Sequence, residues 1–184
     1  MARPRIVIIP DERAFGTVTA GQAGDQIVLG SSDADLIDGG AGNGQLRGNK
    51  GYDYLIGGDG ADTYRFAAGD GQDVINNLSN TPANNDIFAF EGVTPENLWL
   101  SRDGDNPVLD VRGSEDRVTI RDWYRDPAQK VDAIQTGGST LYADAVDNLV
   151  NAMAAFGAPA GGEINLSQSQ RHQLNVVIAA NWQS

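Results

Sequence analysis

The sequence predicts a mainly β chain: a parallel coil of nine-residue units, capped by a unit of short strands and ended by a helical segment. Three observations predict it. Glycine, 23 residues in all, is concentrated between positions 21 and 71. An apolar residue returns there every nine positions. Beyond residue 142 charge thins out and apolar residues fall at helical spacing.

The bulk properties narrow the function classes. At 184 residues and 40% hydrophobic, the chain is long enough for a buried core. Its 25 acidic against 13 basic residues give a net charge of −12, which argues against nucleic acid and anionic membrane surfaces as partners and in favour of cations. With no cysteine there is no disulfide, thiolate metal site or thiol nucleophile. The start, Met1 to Phe15, has basic residues and one short apolar run from Ile6 to Ile9, too short for the apolar core of a secretory signal peptide. No run approaches the roughly 18 apolar residues of a membrane span. Residues 1–20 are expected to add a strand, RIVII, to the end of the coil.

The coil itself, expected over residues 21–77, is read in blocks of nine: GSSDADLID from Gly30, GGAGNGQLR from Gly39, GNKGYDYLI from Gly48 and GGDGADTYR from Gly57, with a degenerate GQAGDQIVL from Gly21. The eighth position holds Ile37, Leu46, Leu55 and Tyr64. Six polar or glycine residues make a turn and three make a short strand whose apolar residue points inward, so two blocks complete one coil. A solvated linker would have no reason to place a large apolar residue at every ninth position.

This pattern resembles G-G-x-G-x-D-x-U-x, the nonapeptide of calcium-binding RTX proteins. The resemblance implies a parallel β-roll with several Ca2+ ions held between stacked turns. Calcium takes six to eight oxygens, and such turns would supply them as carbonyls plus one carboxylate per loop. The implied metal residues are Gly30, Ser32, Asp35, Gly39, Ala41, Gly48, Lys50, Asp53, Gly57, Asp59 and Asp62, with Asp70 and Asp73 for a final site in DTYRFAAGDGQDVI. Because each loop stacks on the one two blocks away, the aspartates fall in two columns: Asp35, Asp53 and Asp73 in one, and Asp25, Gly44 and Asp62 in the other. Glycine at 44 leaves the second column short of a carboxylate. Asp33, at the fourth glycine position of its block, is expected in left-handed geometry, which aspartate tolerates.

Calcium is expected to control folding. Without it the stacked carboxylates repel one another. With extracellular-module affinities of about 10⁻⁴ to 10⁻³ M, millimolar calcium stabilises the fold by roughly 0.4 to 1.4 kcal/mol per site, a term that vanishes at cytosolic concentrations.

Residues 78–142 read as a β-rich cap, with strands in DIFAF, LWLSR, VLDVR, RVTIRDWY and VDAIQ, then a GGSTLY turn and strand. A coil end exposes unpaired strand edges, so a cap is physically required. Its expected core is Phe88, Phe90, Trp99, Leu100, Val118, Ile120, Trp123 and Tyr124. A carbohydrate site on Trp99, Trp123 and Tyr124, in an adhesive extracellular module, is the alternative use of those aromatics.

From Ala143 onward the only charged residues are Asp144, Asp147, Glu163 and Arg171. One helix is expected over 143–156, with Val146, Leu149, Val150 and Met153 on one face, ended by GAPAGG. A second begins at Ser167, which with Gln170 forms a capping box, and carries Leu174, Val177, Ile178 and Trp182. A weakly charged amphipathic end after such repeats resembles the uncleaved signal read by type I secretion machinery, implying a monomer that is secreted and remains extracellular or at the cell surface. The alternative is that the helices simply pack on the β unit.

Apart from the Asp126–Pro127 bond, of a kind that some RTX relatives cleave in themselves when calcium arrives, enzymatic signatures are absent from the sequence. The sole histidine, His172, sits among polar residues, no serine lies in a nucleophile elbow, and no phosphate-binding glycine loop occurs.

Overall fold

The computed structural model describes residues 23–80, 85–157 and 166–184, together with strands at 5–8 and 16–19. The strands are β1 (Arg5–Ile8), β2 (Gly16–Thr19), β3 (Gln26–Leu29), β4 (Asp35–Asp38), β5 (Gly44–Arg47), β6 (Tyr54–Ile56), β7 (Thr63–Ala67), β8 (Gln72–Asn76), β9 (Ile87–Glu91), β10 (Leu98–Asp103), β11 (Asn106–Val111), β12 (Arg117–Ile120), β13 (Ala133–Thr136) and β14 (Ser139–Tyr142). They form two sheets, ordered β1-β3-β5-β7-β9-β13-β14 and β10-β11-β12-β8-β6-β4-β2. Successive strands therefore alternate between sheets through the repeats, and each sheet grows by parallel pairing with the strand one full coil away.

Alternation within each short strand decides what lies inside. The register aligns Val28, Leu46, Tyr64, Phe88 and Ile134 in one sheet and Ile37, Leu55, Ile75 and Ile120 in the other. All are fully or almost fully buried in one continuous core. The eighth position of each nonapeptide is thus the inward one, and the coil interior is a stack of these side chains.

The two sheets cross the boundary expected at residues 77–78 without a break. Strands β9, β12 and β13 add in parallel to β7, β8 and β9. Only then does pairing turn antiparallel, in β10-β11-β12 and in the β13-β14 hairpin. Gly137 and Gly138 at that hairpin have φ of 54° and 85°, the left-handed pair that a two-residue turn between twisted strands requires. Trp99 and Trp123 are each 1% exposed, and Tyr124 is half-buried with the Arg102 guanidinium 3.9 Å from its ring centre. The tryptophans are core residues, so the carbohydrate site considered for this triplet is not formed.

Helix α1 (Val146–Ala154) packs on β10, burying Val146, Leu149, Val150 and Met153; the Leu100 amide donates to Met153 Sδ at 2.9 Å. Helix α2 (Gln168–Asn181) packs on α1 and opens on the expected capping box, the Ser167 side chain accepting from the Gln170 amide and the Gln170 side chain accepting from the Ser167 amide. Leu174 and Ile178 are buried, as is Trp182 just beyond the helix, while Val177 is half-buried. After α2 the chain pairs Gln183 with Thr140, covering the outer edge of β14. Most of the GAPAGG break lies outside the described residues. Among the described residues no helix is long and apolar enough to cross a membrane.

Candidate metal centre

The loops between strands stack along the two edges of the coil, one over another at the same interval as the strands. Their first glycines, Gly30, Gly39, Gly48 and Gly57, are buried, whereas Ser32, Ala41 and Lys50 at third positions are exposed and Asp59 is half-buried. The close approach explains the glycines. A Cβ on Gly48 would lie 2.1 Å from Asp53 Oδ2, and one on Gly57 would lie 2.5 Å from Asp62 Oδ2. Each aspartate side chain folds back over the first residue of its own repeat, leaving no room for a side chain there.

Backbone amides order the aspartates along each edge. On the first edge Asp35 N donates to Asp53 Oδ1 at 2.8 Å and Asp53 N to Asp73 Oδ1 at 3.2 Å. On the second, Gly44 N donates to Asp62 Oδ1 at 2.7 Å and Asp62 N to Asp86 Oδ1 at 2.8 Å; Asp86 N then donates to Asp132 Oδ2 at 2.8 Å. The first column is the one the repeat spacing predicts. The second needs a correction: Gln26, not Asp25, pairs with Gly44, and Asp25 is an exposed loop residue accepting from Asn43 N at 3.0 Å. The column position lies two residues before the inward apolar residue, here Val28, which makes it residue 26.

These carboxylates are buried and crowd one another electrostatically. Asp35, Asp53, Asp62 and Asp73 are 1–3% exposed. Burial, together with neighbouring carboxylates, pushes Asp53 up to about 7, Asp62 to about 6 and Asp73 to about 8. Burial raises Asp86 as well. Moreover, Asp35 Oδ1, Asp53 Oδ2 and Asp62 Oδ2 are buried with no hydrogen-bond partner. A buried acceptor that no donor satisfies costs free energy, and a bound cation is the natural remedy. The residues present therefore fit a hard, oxygen-seeking ion. Among the described residues no three acidic or histidine side chains gather to hold a metal by themselves, so the rest of a coordination shell falls to backbone carbonyls. Of the expected carbonyls, that of Gly30 accepts from Asn49 Nδ2 at 2.6 Å, that of Ala41 from Gly24 N and that of Asp59 from Gly42 N, both at 2.7 Å. Each carbonyl has a second lone pair.

Two further expectations change. Asp70 is not a free carboxylate: both its oxygens are held by Arg47, and Ala67 N donates to Oδ2. Asp33 is not left-handed. In its loop the Asp33 amide bonds to Ser31 Oγ at 3.1 Å, while the Ser31 amide and hydroxyl donate to Asp35 Oδ2 at 2.6 and 3.0 Å, a serine turn that takes the place of the glycine geometry. Sequence spacing also missed Asp86 and Asp132, which stand 24 and 70 residues beyond Asp62. Their signal was present: like Asp35, Asp53, Asp62 and Asp73, each stands two residues before an inward apolar side chain, Phe88 and Ile134.

A family model for the RTX calcium-binding nonapeptide repeat matches residues 20–43 and 38–75, in four copies. Among solved structures, the solution structure of the AlgE6R3 subunit from the Azotobacter vinelandii mannuronan C5-epimerase is similar, with 25% identity over 90% of this chain and 94% of that chain at a TM-score of 0.49.

Proposed function

We propose, on the premise that residues 20–75 are calcium-binding RTX nonapeptide repeats, that the chain is the calcium-folded part of an exported protein. The coil orders when its loops meet millimolar calcium outside the cell, and residues 143–184 carry the address for a type I exporter. The single observation that supports calcium-dependent folding best is the set of unpartnered buried oxygens on Asp35, Asp53 and Asp62. The proposed ligands are these three carboxylates with Asp73, and the carbonyls of Gly30, Ser32, Gly39, Ala41, Gly48, Lys50, Gly57 and Asp59. Bound calcium neutralises the stacked acids, and its binding free energy becomes folding free energy. At cytosolic calcium the same acids keep the coil open and the chain able to thread an exporter.

Packing of α1 on β10 and pairing of Gln183 with Thr140 support a second role for the helical end, as a lid that docks once the β unit has formed. Far-ultraviolet circular dichroism tests the folding proposal: a disordered spectrum in EDTA and a β spectrum in millimolar calcium are expected, and identical spectra would contradict it. A reporter fused to residues 143–184 tests the address. Export through a type I system supports it, and retention would leave the helices with the lid role alone.

A further inference from the structure

Arg47 ends β5 immediately before the loop at residues 48–53, and its guanidinium reaches into the next loop stacked on that edge. There Nε and Nη2 each lie 3.2 Å from a different oxygen of Asp70, whose side chain is 8% exposed. The stacking is direct, since Gly51 bridges Gly71 and donates to the Asp70 carbonyl at 2.9 Å. The amides of that loop are also answered from within the protein: Gly69 N and Gly71 N donate to Asp116 at 2.8 and 3.2 Å. Asp35, Asp53 and Asp62 differ, each retaining a buried oxygen without a partner. One step further along, the residue aligned with Asp73 is Val118, so the column of Asp35, Asp53 and Asp73 ends here.

We infer that Arg47 is a built-in counter-cation that takes the place of calcium at Asp70, and so limits how many ions this edge of the coil binds. The inference rests on the proposed calcium sites in the preceding loops. A guanidinium is suited to this role because it is always charged and its planar fork matches a carboxylate with two parallel hydrogen bonds. Removing it leaves a buried acid that must protonate or recruit another cation.

The test is the number of calcium ions bound by the full chain, measured by equilibrium dialysis with elemental analysis at saturating calcium. Asp70→Asn is expected to bind as many ions as the unsubstituted chain, whereas Asp53→Asn binds fewer; loss of an ion in Asp70→Asn overturns the inference. Arg47→Gln is expected to bind one ion more, and a folded Arg47→Gln with an unchanged count also overturns it. If Arg47→Gln fails to fold at any calcium concentration, Asp70→Asn alone decides. An unsubstituted chain that binds no calcium would instead sink the proposed sites themselves.

Discussion

A buried aspartate is costly unless something shares its charge, and the residues along the coil edges answer that cost in different ways. Asp70 has Arg47, and Asp116 has two glycine amides. Asp53, Asp62 and Asp73 have one amide each and are pushed to about 7, 6 and 8, chiefly by burial. A carboxyl whose folded-state pKa is raised favours the fold when protonated. In the metal-free chain that contribution is complete below about pH 4 and is lost as pH rises through 6 to 8. Calcium requires the ionised form, so its effect has the opposite sign. The calcium concentration at the folding midpoint is therefore expected to rise as pH falls from 8 to 6, while the chain in EDTA gains structure over the same interval; a midpoint independent of pH would contradict these assignments. Gly44 offers the converse experiment. A Cβ there would meet Asp62 Oδ1 and Leu46 Cδ1 at 2.9 Å, both side-chain ends able to shift, and its φ is not left-handed. Gly44→Asp is expected to tighten calcium binding on the second edge in calorimetry and to weaken the calcium-free fold; no gain in affinity or ion number would count against the column assignment.

At the scale of the element, a loop can stack only if its backbone passes close to the next. Gly58 and Gly69 have almost the same φ, 93° and 92°, but a Cβ on Gly58 would lie 1.9 Å from the Gly40 carbonyl oxygen, whereas one on Gly69 meets nothing within 4 Å. Both alanine variants bear the strain of left-handed geometry, about 1 to 2 kcal/mol, and only Gly58→Ala adds a clash with backbone. Thermal unfolding in calcium is expected to rank Gly58→Ala as the less stable by about 1 to 3 kcal/mol; equal melting would show that the loops are not in contact. The repeating strands were legible because an inward residue at every ninth position has no other cause, and the capping box at Ser167 was legible because it is a local pattern. Continuation of both sheets through β9, β12 and β13 was not. Insertions between Asp62 and Asp86, and between Asp86 and Asp132, break the nine-residue count that revealed the earlier coils. The pairing of Arg47 with Asp70 was hidden for a similar reason, because partners 23 residues apart share no local motif.

At the scale of the whole molecule, the described chain passes from coils with glycine turns to an end built of antiparallel strands, helices and packed side chains. Near the repeats, glycine loops and single carboxylates leave charge for an ion to neutralise. Toward the other end, Val118 stands where the first column would continue, Tyr64 Oη bonds Asn77 Oδ1 at 2.7 Å inside the coil, and α1, α2 and Gln183 cover the last strands. The two ends should therefore respond differently to chelation. Amide hydrogen exchange of the full chain at Asp35, Gly44, Asp53 and Asp62, whose amides all donate to carboxylates of the next coil, measures this most directly. Strong protection in millimolar calcium that disappears in EDTA is the predicted result; equal protection in both would contradict the claim that the ion is part of the fold.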